Sequence, residues 1–208
     1  MKEISPLRND QILKINEQMT KSLCAIDLGK AKGTGFFCKI PFPDNQNLLP
    51  TLITCNHVLN EEYINKNKTI LIFLNNRNEK REILMENRIT YTNRELDITI
   101  IEIKTEKDNI HNFLELEKFD KDLQKLSVYF LQYAKGEECL VSFGIIRAIK
   151  EKDVIHDCWS DFGSAGGPII SSIDGKVIAI HMGSIPSKGF KIGTLLSSAI
   201  LEFQKLKK

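Results

Sequence analysis

The stretch Phe162-Gly163-Ser164-Ala165-Gly166-Gly167-Pro168-Ile169 sets three glycines in five positions and runs straight into an apolar, strand-like segment, Pro168 to Ser172. Glycine accepts backbone angles and close approaches that a side chain forbids, so such a turn can aim successive N–H groups at one developing negative oxygen. A phosphate-cradling loop is the rival reading. It requires a Gly-Lys-Ser or Gly-Lys-Thr ending and a following helix, and neither is present.

Working outward, the next apolar run, Val177 to Met182, is joined through Ile173-Asp174-Gly175-Lys176, a hairpin-turn composition. Further strand-like segments are Leu126 to Tyr133, Cys139 to Ile149 and Val154 to His156. Upstream lie Leu23 to Leu28, Thr34 to Ile40, Leu49 to Cys55, Ile70 to Leu74, Ile83 to Tyr91 and Asp97 to Ile103, separated by Pro- and Asn-rich spacers. Ile12, Ile15 and Met19 recur at helical spacing, as do Leu195, Ala199, Ile200, Phe203 and Leu206, predicting an amphipathic helix near each end. About a dozen short strands with terminal helices predict an all-β chain of sandwich or barrel type. The expected division is an N-terminal amphipathic segment (1–21), a first β unit (22–112), a linker and second β unit (113–194) and a C-terminal helix (195–208), the boundary falling in the polar stretch Lys104 to Lys125.

The 208 residues are 42% hydrophobic and 27% charged, which fills a core and excludes a mostly disordered chain. Lys plus Arg number 29 against 27 Asp plus Glu, so no excess charge argues for nucleic acid as a partner. Cys24, Cys38, Cys55, Cys139 and Cys158 are widely spaced and odd in number. They signal neither a disulfide framework nor a thiolate metal site and fit a reducing compartment, cytoplasmic or nuclear. The apolar runs are too short for a membrane span.

Three further fragments carry chemistry-bearing side chains. Thr54-Cys55-Asn56-His57-Val58-Leu59 ends an apolar strand in a histidine, which is as ordinary at a core edge as in a proton-transfer role. Leu96-Asp97-Ile98-Thr99 sets a carboxylate at the mouth of an apolar strand, where burial demands a partner such as an imidazole, or a local turn to cap. Ile178-Ala179-Ile180-His181-Met182-Gly183 interrupts an apolar strand with a histidine that either reads a ligand or bonds to neighbouring backbone.

Together with Gly33-Thr34-Gly35-Phe36-Phe37, these fragments, in the order His, Asp, glycine turn, resemble the chymotrypsin-like (trypsin-fold) serine peptidases, in particular the single-chain HtrA-like and glutamyl-endopeptidase-like branches. The resemblance spans nearly the whole chain between the terminal helices. It implies two six-stranded antiparallel β-barrels with the catalytic groups between them. It further implies His57 as general base, Asp97 as acceptor from its Nδ1–H, and the N–H groups of Gly163 and Ala165 as oxyanion hole. No cofactor or metal is implied, and the partner is a peptide or protein substrate.

The departure is Ala165, which stands at the family's nucleophile position and has no hydroxyl for His57 to deprotonate. This sequence is therefore expected to be inactive as a serine peptidase. A serine-to-alanine substitution in an otherwise complete site is favoured over a natural peptide-binding pseudoprotease. Ser164, one residue early, is misaligned, and its neutral side chain argues against a zymogen ion pair. The resemblance also implies a substrate pocket of Trp159, Ser160, His181, Met182 and Gly183. Trp159 at its base weighs against Lys or Arg before the scissile bond; His181 and Ser160 point to Glu, Asp or Gln, while a purely structural His181 stays open.

Overall fold

The computed structural model describes residues 7–29, 31–117, 123–185 and 189–207. Residues 1–6 of the expected N-terminal segment, 118–122 of the expected linker and Lys208 lie outside them. The chain opens with helix α1 (Asn9–Lys21). The strands β1 (Leu23–Asp27), β2 (Lys32–Pro41), β3 (Leu48–Thr54), β4 (Thr69–Leu74), β5 (Glu79–Leu84), β6 (Thr90–Asn93) and β7 (Ile98–Glu102) follow, with short helices α2 (Glu61–Lys66) and α3 (Thr105–Asp108). The second half holds β8 (Ser127–Ala134), β9 (Glu138–Lys150), β10 (Asp153–His156), β11 (Pro168–Ser171), β12 (Val177–Ser184), β13 (Lys191–Leu195) and helix α4 (Leu196–Gln204).

The fold is mostly β, with two barrel-like sheets. The second half closes into a six-stranded antiparallel barrel, β10-β13-β12-β11-β8-β9, as expected. The first half is a seven-stranded open sheet, β5-β4-β1-β2-β3-β7-β6, rather than a closed six-stranded barrel. The segment read as one strand from Ile83 to Tyr91 is the end of β5, a turn and the start of β6, and Asn87 in that turn has a φ of 55°. Most of β5, Glu79-Lys80-Arg81-Glu82, is too charged to read as a strand. Pairing with β4 in full register, Thr69↔Leu84 to Leu74↔Glu79, outweighs that propensity.

A continuous apolar core runs from the first sheet (Phe36, Leu52, Ile100) into the outer face of the barrel (Tyr129, Leu131, Ile180) and under α4. A second cluster, including Val128, Phe130, Ile146, Val154 and Ile169, fills the barrel interior. The α4 stripe is as predicted at Ala199, Ile200 and Phe203, all buried, and Phe203 stacks on Phe42 with centroids 4.2 Å apart. Leu195 belongs to β13 instead, and Leu206 is exposed. In α1, Ile15 is buried but Ile12 is exposed; the buried neighbour is Gln18, which donates to Gly175 O at 3.0 Å and accepts from Tyr129 Oη at 2.6 Å. Those two bonds satisfy the amide and tie α1 to the second barrel. Among the described residues no helix is long and apolar enough to cross a membrane.

Candidate active site

Strand register brings His57 and Asp97 together. Strands β3 and β7 pair antiparallel with Thr54 opposite Thr99, so the residues just after β3 and just before β7 leave the sheet side by side. The turn after β3 is closed by Val58 N–H and Leu59 N–H donating to Cys55 O, and Thr99 Oγ1 donates to Leu59 O at 2.6 Å. Asp97 takes the left-handed conformation, φ 47°, in the β6–β7 hairpin, where Asp and Asn are tolerated among non-glycine residues. Its Oδ1 accepts from His57 N–H at 2.9 Å and its Oδ2 lies 2.6 Å from His57 Nδ1. The backbone bond fixes the carboxylate, which in turn fixes the ring. The Asp97 hydrogen bond raises the His57 pKa above its ordinary 6.5, overcoming the opposite pull of burial.

The glycine turn is held from two sides, by β12 and by β2. Gly166 N–H donates to His181 O at 2.8 Å, and His181 N–H donates to Gly167 O at 2.9 Å, zipping the turn to β12. Thr34 on β2 binds it to the first sheet: its N–H donates to Ala165 O at 2.8 Å, and its Oγ1 donates to Gly163 O at 2.9 Å while accepting from Tyr133 N–H. Gly166 has φ 92°, and a Cβ there would fall 2.1 Å from Thr34 O, so only glycine fits. Gly163 is also left-handed, φ 85°. The N–H groups of Gly163 and Ala165 donate to no acceptor among the described residues.

Ser164 is buried and turned away from His57. Its hydroxyl bonds to Gln132 Oε1 and accepts from Asp161 N–H, and Gln132 Nε2 donates to Trp159 O at 2.9 Å. Cys55 is fully buried, and burial, then the nearby Asp97 charge, holds its thiol well above 9. Its Sγ, His57 and Asp97 offer donor atoms within 4.8 Å of one another, with the thiol donating to His181 O. Such a thiol is not a ready nucleophile.

A cleft of about 470 Å³ is lined by His57, Gly163, Ala165, Ser160, His181, Met182 and Gly183 among others. Of the predicted site residues, all but Asp97 and Trp159 line this cavity; Asp97 reaches the site through His57, to which it is bonded. The side chain of Trp159 is half exposed and outside the lining, and only its carbonyl is engaged, by Gln132 and Ser142. The expected pocket base is therefore not built by its indole. His181, 2% exposed, lies against a second buried imidazole, His156, which sequence reading missed. Lys32 and Phe162 also line the cleft without having been predicted there. A larger groove of about 1130 Å³ runs past Lys39, Leu48 and His111 to Glu117 and contains none of these groups.

Solved structures share this architecture. A serine endoprotease from Yersinia pestis matches with a TM-score of 0.71 at 15% identity, over 98% of this chain and 68% of that one. Rv3671c from M. tuberculosis H37Rv, as the inactive form of a serine-to-alanine mutant, matches with a TM-score of 0.68 at 14% identity over 99% and 95%. Deg5 gives 0.69 at 14% identity over 94% of each chain. At such identities the likeness speaks for the fold. No match was found among curated proteins. The sequence itself supplies the family: the model of the trypsin-like peptidase domain matches residues 33–180, from the strand that carries Thr34 to the strand that carries His181, and the chain belongs to that family.

Proposed function

We propose that this chain is a serine endopeptidase lacking only its nucleophile, with Ala165 standing where the active protein carries serine. The observation that carries the reading is the His57–Asp97 pair, bonded at 2.6 Å, whose imidazole shares one cleft with Ala165 and with a glycine turn in which the N–H groups of Gly163 and Ala165 donate to no acceptor among the described residues. With a hydroxyl at 165, attack on a peptide carbonyl would form the Oγ–C bond as the O–H proton passes to His57, with the oxyanion received by the N–H groups of Gly163 and Ala165. His57 would return that proton to the leaving amine as the C–N bond breaks. Water, deprotonated by the same ring, would then bond to the acyl carbon, and the C–Oγ bond would break as the ring returns that proton to Oγ, freeing the acid and restoring the serine. Asp97 would hold the tautomer and stabilise the imidazolium throughout. As it stands, the chain binds peptides and does not form an acyl-enzyme. Ser160, Met182 and Gly183, with His181 behind, supply a pocket suited to Glu, Asp or Gln before the scissile bond.

The experiment is Ala165→Ser presented with an unbiased peptide library. Hydrolysis that disappears again in the Ala165→Ser, His57→Ala double variant supports the reading. A folded Ala165→Ser protein that cuts nothing refutes it and leaves the second reading, a natural pseudoprotease that uses the same cleft for binding alone, which Ala165 itself favours.

A further inference from the structure

The turn that joins β4 to β5 reaches across to the other half of the molecule. Asn75, Asn76 and Arg77 all take left-handed backbone, with φ of 47°, 54° and 67°. Asparagine tolerates that region and arginine does not, so such a run persists only where its surroundings hold it. Here most of the holds come from the second half. Asn76 N–H donates to Tyr133 Oη at 3.2 Å, and Asn76 Oδ1 accepts from Cys139 N–H at 2.8 Å. The Arg77 guanidinium lies over the Phe73 ring, 4.2 Å from its centroid, and its two terminal nitrogens part: one donates to Gly136 O at 2.5 Å, the other to Asp27 Oδ2 at 3.3 Å.

Gly136 belongs to the turn between β8 and β9. Lys135 and Gly136 have φ of 57° and 71°, and Glu137 N–H donates to Ala134 O, which is type I′ geometry. That turn favours Asn-Gly and is strained by a lysine at its first corner. The Lys135 N–H leaves the hairpin and donates to Phe162 O at 2.5 Å, on the peptide that leads into the glycine turn. Phe162 O and Gly163 N–H are opposite ends of one planar trans peptide and point in opposite directions. Holding the oxygen therefore aims the N–H away from Lys135, where Gly163 lines the cleft. A half-turn of this peptide would put a carbonyl there instead and withdraw one of the two donors. Gly163 also packs directly on the β8–β9 turn: a Cβ on it would fall 2.7 Å from Tyr133 O and 2.8 Å from Gly136 N, so a shift of that turn is felt at Gly163.

We infer that Arg77 is a positioning residue for the oxyanion hole: bridging Asp27 and Gly136, it keeps the β8–β9 turn where Lys135 N–H latches the Phe162–Gly163 peptide with its N–H toward the cleft. The use of that N–H in catalysis rests on the peptidase reading of the cleft, whereas the latch does not. Arg77 touches no reacting group and acts through Gly136, Lys135 and Phe162 in turn. Its effect falls on turnover, because negative charge reaches the hole only after the substrate is bound.

The latch is read in the chain as it is, and the oxyanion role in an Ala165→Ser background. Arg77→Met keeps an apolar stem over Phe73 and removes both donors. Amide hydrogen exchange at Lys135 should quicken about tenfold, the worth of one hydrogen bond, with exchange in the barrel strands unchanged. On a peptide that Ala165→Ser cleaves, adding Arg77→Met should lower kcat about tenfold and leave KM within about twofold. Arg77→Lys, whose ammonium can still donate to Gly136 O, should restore most of the rate. Unchanged exchange at Lys135 in folded Arg77→Met, faster exchange with kcat intact, or a raised KM with kcat intact would each overturn the inference. Should Arg77→Met fail to fold, Asp27→Asn decides: it keeps an acceptor for Gly29 N–H and weakens the hold on Arg77, so faster Lys135 exchange with a lower kcat supports the inference and no change in either overturns it. An Ala165→Ser protein that cuts no peptide overturns the oxyanion role and the peptidase reading together, and faster Lys135 exchange in Arg77→Met then leaves the latch alone standing.

Discussion

The buried imidazole pair makes the fold acid-sensitive in a way that one substitution can isolate. His156 is 0% exposed, and burial lowers its pKa from an ordinary 6.5 to about 4. Since the folded value lies below the unfolded one, protons bind preferentially to the unfolded chain. The contribution of this residue to stability is complete above pH 6.5 and is lost progressively as the pH falls to about 4. A difference of that size corresponds to about 3 kcal/mol. His181 is depressed in the same direction, mainly by its own burial, and adds to the slope. The assay is urea unfolding of the chain and of His156→Gln at pH 7, 6, 5 and 4. Carboxylates titrate in both proteins and cancel in the difference. The two stability curves should converge by about 3 kcal/mol between pH 7 and pH 4 as the unsubstituted chain loses its advantage. Curves that stay parallel across that window would refute the claim that His156 is held neutral by the fold.

Other perturbations test the site from different sides. In an Ala165→Ser background, activity should rise with pH through a His57 pKa above 6.5, because only the neutral ring accepts the serine proton; a profile with its midpoint below 6.5 would contradict the Asp97 bond. Asp97→Asn in that background should lower kcat by about 10⁴-fold, the loss characteristic of a wrongly held tautomer, with little change in thermal stability. Gly166→Ala would place a methyl 2.1 Å from Thr34 O and 2.5 Å from Thr54 Oγ1 at φ 92°. It should cost about 3 kcal/mol or more in denaturant unfolding. Arg88 binds Asp108 through two 2.6 Å bonds with side chains 0% and 2% exposed, so Asp108→Ala strands a buried cation and should cost about 3–5 kcal/mol.

What the sequence showed was what depends on local pattern. The apolar runs marked most strands, and the order of His57, Asp97 and the glycine turn marked the residues that the fold gathers. Other features depend on partners distant in the chain. Strand β13 hides in Lys191-Ile192-Gly193-Thr194-Leu195, whose glycine and lysine give no strand signal, yet it pairs with both β10 and β12. His156 looked like an ordinary end of a strand because nothing near it in sequence discloses that His181, 25 residues on, lies 3.1 Å away. Gln18 interrupts an apolar helical stripe, and its burial makes sense only once Tyr129 and Gly175 arrive to satisfy the amide. The resemblance puts Trp159 in the pocket by its place before the glycine turn, but a place in the sequence fixes a backbone and not a side chain, and here only the carbonyl is engaged, by Gln132 and Ser142.

The same distinction explains how a complete cleft can surround an alanine. Nothing that shapes the glycine turn uses the side chain of residue 165. The turn is fixed by Thr34, by the two bonds between Gly166, Gly167 and His181, and by the Ser164–Gln132 contact. Thr34 is the point at which the two halves depend on each other. It lies on β2 of the first sheet, its own carbonyl accepts from Thr54 Oγ1 three residues before His57, and its hydroxyl holds Gly163 O while receiving Tyr133 N–H from the barrel. Thr34→Val keeps the shape and removes that hydroxyl, orphaning a buried N–H at a cost of about 1–3 kcal/mol. It should also release Gly163, whose N–H is one of the two aimed at the cleft. The expected result is a folded protein that binds peptide less tightly and, with serine at 165, has kcat reduced more than KM is raised. If Thr34→Val instead lowers stability alone and leaves kcat intact, the turn is shaped from within the barrel and the first sheet contributes only His57, Asp97 and the Arg77 contact.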